Sequence, residues 1–357
     1  MVTKLEMSKF KITRNEINSK IIPELFELFN IHKLPLATAN VEFEIKNVSV
    51  SVINAIRRTI IDEMTGYYMQ LSEDSISPLT TDKFADHQFI NNRINTIPLC
   101  YLIPPEIIKN LKLHIDVTNT SSEALFIHSG DLVATGVELT YPIFNPTFNL
   151  FTVQPGKRVV INDIFINSAT GKDFAAANIA CRATYKHLDI PEYSKSDTHT
   201  SEGEHNNFSG YKTSTLVSNP KHHLFNVLIP ATTEHNVNEE VSSIFIDVCD
   251  NIISRLRIIL LYIENSNKET EGIQLTLLEL PSGITKGILI IPGETHTIGN
   301  LITKSISEIE PDIVSISFIV YENKVELVIQ HTNNIIKVLV DAIQYTLSIF
   351  NNIKKNI

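Results

Sequence analysis

The stretch NVSVSVINAIRRTIIDEM, residues 47–64, begins like a β-strand and continues as an apolar helix that carries two adjacent arginines. At about 100° per residue, this helix has an apolar inward face and a more polar outward face. The residues predicted to face inward are Val52, Ala55, Ile56 and Ile60. The residues predicted to face outward are Asn54, Arg57, Arg58 and Ile61. The arginines therefore do not interrupt the core, and Arg58 can reach Asp62 one turn later.

A similar pattern returns 246 positions later in HTIGNLITKSISEI, residues 296–309. This offset places Asn54 on Asn300 and Ile56 on Ile302. The residues of the second helix predicted to face inward are Ile298, Leu301, Ile302 and Ile306. The residues predicted to face outward are Asn300, Thr303 and Lys304. The pattern of the first helix is thus repeated on both of its faces.

Both helices follow a predicted strand, at residues 41–45 and 287–291. Each copy later ends with a strand and a long amphipathic helix, predicted at residues 241–263 and 335–353. This repeated order predicts an α+β fold built from two similar dimerisation units. We expect their inward helix faces to pair about a pseudo-two-fold axis, which would give an intramolecular pseudo-dimer.

Residues 72–221 contain short apolar runs separated by Pro, Asn, Gly and Ser, which predicts a β-rich inserted domain. The predicted strands are residues 113–119, 124–129, 132–141 and 158–166, with one helix near residues 172–180. The expected division is an N-terminal extension (1–38), a first dimerisation domain (39–71 plus 222–264), the insertion (72–221), a linker (265–275) and a second dimerisation domain (276–357). A polar run at residues 194–210 is expected to be a loop.

The chain has 357 residues and a formal net charge of −10. Because proteins that grip the phosphate backbone are usually basic, this charge argues against direct nucleic-acid binding. A long uncharged run at residues 139–156 contains three prolines, so no membrane segment is predicted and we expect a soluble intracellular protein. The cysteines, Cys100, Cys181 and Cys249, are far apart, which is typical of inert thiols in a reducing compartment.

An enzyme needs a recognisable set of reactive groups, and the common motifs are missing from this sequence. It has no phosphate-binding glycine loop, no HExxH motif and no G-x-S-x-G motif. His222 and His223 are adjacent, so on a strand or helix they point apart and do not suit a metal pair. His296 lies between Thr295 and Thr297 at a helix start, where a structural or interface role is expected. We therefore predict no catalytic residue, no metal ligand and no cofactor.

The hexapeptide INAIRR, residues 53–58, resembles the strand–helix motif of the alpha-like assembly subunits of multisubunit RNA polymerases. Three more segments are similar to the larger alpha-like partner, the archaeal D or third-largest eukaryotic subunit: FINNRINTIPL (89–99), LFIHSGDLV (125–133) and TGKDFAAANIAC (170–181). HTIGNLI, residues 296–302, resembles the HTLGNLL signature of the small partner, the archaeal L or eleventh eukaryotic subunit. A fusion of both partners is similar to the arrangement in asfarvirus-like large DNA viruses, as are YPIFNPTF (141–148) and HLDI (187–190).

This resemblance implies a non-catalytic assembly platform of a viral DNA-directed RNA polymerase, which docks the largest and second-largest subunits. Further small polymerase subunits are implied as partners, and the viral factory in the host cytoplasm and the virion as locations. The outward residues of both helices, together with Arg93, are the implied docking residues. Arginine suits this role because its planar fork can pair with carboxylates at an interface. The inward residues are implied to form the core of the pseudo-dimer.

The sequence also departs from the family pattern. Phe174 stands where the family has a histidine, and Ala176 and Ala177 stand where it has Lys-Trp. The scattered cysteines cannot supply the zinc or iron–sulfur cluster that some larger partners carry. Two other functions stay open: a virus structural or interaction protein that reuses the fold, and an enzyme whose site lies in the β-rich insertion.

Overall fold

The computed structural model describes most of the chain. The described residues are 5–16, 37–136, 143–144, 148–188, 220–230, 237–264, 272–281 and 283–357. The predicted loop at 194–210 and most of the predicted linker at 265–275 lie outside these residues. Within them the chain mixes helices with four β-sheets, which confirms the α+β class.

Around the two repeated motifs, the elements follow the predicted order of strand, helix, strand and long helix. The helices are α1 (Val50–Arg58), α2 (His87–Asn95), α3 (Pro105–Asn110), α4 (Val237–Glu264), α5 (His296–Ile309) and α6 (Ile335–Asn356). The strands are β1 (Glu6–Met7), β2 (Lys11–Glu16), β3 (Ala37–Lys46), β4 (Thr65–Leu71), β5 (Lys112–Thr118), β6 (Leu125–His128), β7 (Val133–Thr135), β8 (Asn149–Val153), β9 (Arg158–Thr170), β10 (Arg182–His187), β11 (His222–Pro230), β12 (Gln274–Glu279), β13 (Thr285–Pro292), β14 (Ser315–Tyr321) and β15 (Lys324–His331). None of the described helices is long and apolar enough to cross a membrane.

Two antiparallel sheets share one strand order. In the first sheet, β1 and β2 pair with one side of β3, and β11 and then β10 follow on the other side. In the second sheet the order is β12, β13, β15, β14. The central strand pairs of the two sheets also correspond. Phe43 is the register partner of Phe225, and Leu289, which lies 246 positions after Phe43, is the register partner of Leu327. The alternating pattern of β3 buries Val41, Phe43 and Ile45 on the same face.

Two edge strands of the second sheet were not predicted from the sequence. Strand β12 begins inside the predicted linker, and β14 lies between residues 310 and 323, where no strand was predicted. Edge strands pair on one side only, and no residue of β12 or β14 is fully buried, so burial constrains their sequences less.

The helices of the two sheets pack against each other. Helix α1 contacts α5, and α4 contacts α6. One hydrophobic core includes side chains from both sheets and from all four helices. All of the residues predicted to face inward are buried: Val52, Ala55, Ile56, Ile60, Ile298, Leu301, Ile302 and Ile306. Helix α1 continues into a π-helical turn, Thr59–Glu63, a form that is frequent at functional sites.

A second hydrophobic core lies within the β-rich part of the chain. One sheet there has the order β4, β9, β5, β7, and β6 pairs with β8. This core includes Met69, Ile115 and Ile161, which are fully buried. The predicted strands at 113–119, 124–129 and 158–166 are confirmed as β5, β6 and β9. The strand predicted at 132–141 is seen only in its first part, as β7. The rest of that prediction, residues 137–141, lies outside the described residues.

The helix predicted near residues 172–180 is wrong, since only a short 3-10 turn, Ala175–Ala177, forms there. Tertiary hydrogen bonds hold both ends of this segment. The Lys172 backbone N–H donates to the Asp62 carbonyl oxygen at 2.9 Å, and the Cys181 N–H donates to Leu228 at 2.8 Å. A Cβ at Gly171 would lie only 2.1 Å from the Ile61 carbonyl oxygen, so the backbone presses directly on the π-helical turn. These contacts override the helix propensity of the alanines.

The contact between α1 and α5 can be tested with a core truncation. We expect Ile302→Ala to lower the free energy of unfolding by about 2–5 kcal/mol, because it leaves a cavity in the shared core. Urea unfolding followed by circular dichroism measures this value. The matched control is Ile319→Ala, where the side chain is 57% exposed and the expected loss is below about 1 kcal/mol. Equal losses for the two variants would contradict the assignment of Ile302 to the core.

Candidate functional site

The predicted outward face of α1 is half-buried. Asn54 and Arg57 contact each other, since Arg57 Nε donates a hydrogen bond to Asn54 Oδ1 at 2.9 Å. A guanidinium group has five N–H donors, so this bond orients Arg57 and uses only part of its capacity. Ile61 packs at the edge of the shared core, and its backbone is covered by the segment that begins at Gly171.

Arg58 has contacts on its own helix and across to α5. Its Nη2 lies 3.9 Å from Asp62 Oδ2, which confirms the predicted pairing one turn apart. Its Nε also donates to Thr297 Oγ1 at 3.2 Å. Arg58 is therefore part of the contact between α1 and α5, a role that the outward position alone did not indicate.

Arg93 contacts the β-rich part of the chain. Its Nη2 lies 2.5 Å from the Asn149 carbonyl oxygen, and its Nε lies 3.3 Å from that of Leu150. The guanidinium also lies 5.5 Å from the centroid of the Phe148 ring. These contacts tie α2 to β8 and separate Arg93 from the group formed by the α1 arginines.

The predicted outward face of α5 borders a surface cleft. Asn300, Thr303 and Lys304 are half-buried, and Thr303 Oγ1 donates to the Gly299 carbonyl oxygen at 2.8 Å. The cleft has a volume of about 300 Å³. Asn300 and Lys304 line it together with Ser49, Val50 and Ser51, which begin α1. The outward face of α5 therefore lies beside the start of α1.

A buried ion cluster lies at the junction of the two sheets' helices, and we name it the Arg255 cluster: Glu63, Arg255 and Glu294. Arg255 Nη1 donates to Glu63, and Arg255 Nη2 donates to Glu294 Oε2 at 2.5 Å. Arg255 Nε lies 3.0 Å from Glu294 Oε1, which makes the pair with Glu294 bidentate. All three side chains are at most 19% exposed. Buried charges of this kind need each other, because each has lost its hydration.

Hydroxyl groups complete the cluster. Thr295 Oγ1 and Thr297 Oγ1 each donate to Glu63 Oε1 at 2.7 Å. Burial by itself raises the pKa of Glu63, but the charge of Arg255 and the hydrogen bonds from Thr297, Arg255 and Thr295 outweigh it. The pKa of Glu63 is therefore lowered in the folded protein. The cluster joins the π-helical turn after α1, the middle of α4 and the start of α5.

The sequence reasoning missed the Arg255 cluster. Its members are separated along the chain, with 192 positions between Glu63 and Arg255 and 39 between Arg255 and Glu294. The one available signal was Arg255 itself, a charged residue in a helix that is largely apolar between Ile252 and Ile263. Such a residue indicates a partner, but the sequence does not indicate which carboxylate it is.

A second polar group joins α4 to the β-rich part. The Tyr101 backbone N–H donates to Glu240 Oε1 at 2.5 Å, and the Tyr101 hydroxyl donates to Asp247 Oδ2 at 3.0 Å. Burial raises the pKa of Glu240, and hydrogen bonds from Tyr101 and Cys100 offset part of this increase. Burial and the charge of Asp247 raise the pKa of the Tyr101 hydroxyl, which therefore stays a donor.

His222 and His223 have structural surroundings. His222 Nε2 lies 3.0 Å from Glu44, whereas His223 is buried on the other face with Nε2 3.1 Å from the Val48 carbonyl oxygen. The two rings thus point apart, as predicted. Thr295 caps α5 by accepting a hydrogen bond from the Thr297 N–H at 3.2 Å. In the part of the chain that the structure describes, no group of three or more His, Cys, Asp or Glu side chains could hold a metal ion.

The fold and the site define an α+β protein in which two similar sheet–helix layers pack through apolar helix faces beside a buried ion cluster. Relatives in African swine fever virus named "DNA-directed RNA polymerase RPB3-11 homolog" match nearly the whole chain. The relative from the Kenyan pig isolate is 34% identical over 344 residues, which are 93% of this chain and 91% of the relative. The relative from the Vero-adapted Badajoz strain is 34% identical over 343 residues, 92% of this chain and 91% of the relative.

A third relative, from a Malawi tick isolate, carries the same name and is 33% identical over 344 residues. The chain belongs to this family of RPB3-11 homologs of DNA-directed RNA polymerase. No general family model matches the sequence.

The buried Arg255 cluster predicts a large effect of removing its cation. We expect Arg255→Leu to lower the free energy of unfolding by about 3–5 kcal/mol, because two buried carboxylates lose their partner. Lys354→Leu is the matched control, since Lys354 and Asp250 form an ion pair with side chains 38% and 46% exposed. That control should change stability by about 1 kcal/mol or less. Similar losses in urea unfolding for both variants would show that the cluster is not desolvated.

The shifted pKa values of Glu63 and Glu240 predict opposite pH dependences of stability. The lowered pKa of Glu63 means that its contribution to stability is present above its usual value of 4.5 and is lost as pH falls through the folded pKa. Glu63→Gln should therefore flatten the loss of stability on acidification. The raised pKa of Glu240 means that its contribution is present below 4.5 and is lost as pH rises through the folded pKa. Glu240→Gln should remove that loss, and urea unfolding across pH 3–8 measures both.

Proposed function

We propose that this chain is a non-catalytic assembly subunit of a viral DNA-directed RNA polymerase, in which two fused alpha-like units dock the two large catalytic subunits. The observation that carries this proposal is the packing of α1 against α5, the helices that hold the two polymerase-like motifs. Their apolar faces are buried in one core, while Arg57 and Lys304 lie half-buried on the outward faces of their helices. The names of the African swine fever virus relatives support the assignment to a polymerase.

The two sheets support a pseudo-dimer within the chain. Their strand orders correspond when the edge formed by β1 and β2 is matched with β12, and β10 is matched with β14. In the second sheet α5 ends at Ile309 and β14 begins at Ser315, whereas the β-rich part separates α1 from β10. We infer that this part is an insertion into the first unit.

The pairing of strands favours an insertion that begins and ends earlier than residues 72–221. Strand β4 pairs with β9 of the β-rich part, and β10 pairs with β11 of the first sheet. We therefore place the insertion at residues 65–181, between the π-helical turn and β10. Residues 1–38 as an extension, 265–275 as a linker and 276–357 as the second unit stay predictions.

The family motif that α1 resembles engages the second-largest subunit, so we assign the α1 face to that subunit and the α5 face to the largest. Arg57 is the stronger docking candidate on α1, because its bond to Asn54 orients the guanidinium while leaving other N–H groups for a partner carboxylate. Arg58 has a weaker claim, since it already contacts Thr297 and Asp62. Asn300 and Lys304 offer a different surface along the cleft beside α1.

The buried titratable groups support a scaffold rather than an enzyme. Glu63 and Glu294 pair with Arg255, and Glu240 accepts a backbone N–H, so each connects one structural element to another. The net charge of −10 suits contacts with other polymerase subunits, including small ones, better than direct contact with nucleic acid. The corresponding locations are the viral factory in the host cytoplasm and the virion. Fusion keeps the two units at a roughly millimolar effective concentration and in equal number.

The test is co-expression of the tagged chain with the two large polymerase subunits. We expect Arg57→Glu to reduce recovery of the second-largest subunit by at least about tenfold, since it places like charges at a contact built for a carboxylate. The unfolding midpoint of the isolated chain should stay unchanged. Arg257→Glu is the matched control, because Arg257 is an exposed arginine on α4.

The two variants separate docking from a general effect of charge. Full recovery of both large subunits with Arg57→Glu would contradict the assignment of α1 as a docking face. Equal loss with Arg257→Glu would show that net charge, and not the α1 surface, decides assembly. Recovery of the wild-type chain without either large subunit would overturn the proposed function.

A further inference from the structure

An open groove lies where β4, the loop after Tyr101 and helix α4 meet, and we name it the Tyr101 groove. Its volume is about 460 Å³, within the range of ligand-binding clefts, which is about 300–1,000 Å³. The groove is lined by Thr65, Tyr67, Tyr101, Leu102, Ile103, Pro104 and Asp247. Most of this lining is apolar or aromatic, and Asp247 is its one acidic side chain.

Helix α4 binds both the backbone and the side chain of Tyr101. Glu240 and Asp247 are seven positions apart, so they lie on the same face of the helix about two turns from each other. Glu240 accepts the backbone N–H of Tyr101, and Asp247 accepts its hydroxyl at 3.0 Å. The aromatic wall and the carboxylate therefore keep a fixed geometry.

Asp247 keeps capacity for a cation. An ionised carboxylate can accept about four hydrogen bonds, and the Tyr101 hydroxyl occupies a position on Oδ2. Among the residues that the structure describes, Asp247 forms no ion pair with Lys, Arg or His. A half-buried carboxylate beside apolar walls gains most from a cation that displaces its remaining water.

We propose that the Tyr101 groove binds an arginine side chain carried by an apolar-flanked segment of another protein, with Asp247 as its charge partner. Arginine fits better than lysine because its planar guanidinium stacks on aromatic rings and pairs with a carboxylate. Tyr67 and Tyr101 supply the rings, and Leu102, Ile103 and Pro104 supply an apolar wall for the flanking residues. Tyrosine and arginine are also the residue types that dominate binding energy at protein interfaces.

The test uses the full-length chain alone, so its result does not depend on polymerase assembly. The probes are acetyl-Leu-Arg-Leu-amide and its citrulline analogue, which keeps the shape of arginine but has no charge. The readout is the Ile103 methyl resonance in isoleucine-labelled protein, assigned by its loss in Ile103→Val. We expect a saturable shift with the arginine peptide and about tenfold weaker binding of the citrulline peptide.

Two variants locate the charge that the arginine peptide recognises. Asp247→Asn should weaken binding of the arginine peptide about tenfold while keeping the Tyr101 hydrogen bond, since an amide oxygen still accepts it. Glu239→Gln, an exposed charge removal on the same helix, should leave binding unchanged. Equal affinity for the two peptides, no saturable shift of Ile103, or equal weakening by both variants would overturn the proposal. If Asp247→Asn fails to fold, the comparison of the two peptides on the wild-type chain decides.

Discussion

The pairing of Arg255 with Glu63 and Glu294 is the constraint on which the centre of this protein depends. Apolar packing in the core shared by both sheets stabilises the contact between α1 and α5, but apolar contacts tolerate some sliding and rotation. A buried guanidinium held by two carboxylates does not, because any shift leaves a desolvated charge unpaired. The Arg255 cluster thus fixes the register of α1, α4 and α5.

This register also sets the direction of the proposed docking surface on α1. Glu63 ends the π-helical turn that continues α1, so anchoring it fixes the rotation of the helix that carries Arg57. The segment from Gly171 presses on the same turn through the Ile61 carbonyl oxygen. The β-rich part of the chain therefore supports the α1 surface directly, while Glu240 and Asp247 hold it to α4 through Tyr101.

The family assignment and the geometry support each other at different levels. Each alignment covers about nine-tenths of this chain and of the relative, so the likeness includes the β-rich part as well as the two helix motifs. The proposed docking faces and the Tyr101 groove are properties of this chain's own side chains. Arg93 illustrates the difference, since its motif resembles the family while its contacts tie α2 to β8.

The sequence by itself determined the α+β class, the repeated strand–helix order, the buried faces of α1 and α5, and the family. These follow from periodicity and short motifs, which are properties of neighbouring residues. Tertiary structure alone decided the partners of Arg255, the edge strands β12 and β14, and the irregular course of residues 172–180 with its short 3-10 turn. The reason is physical: a charge or an edge strand is stabilised by groups far along the chain, and only packing brings those groups together.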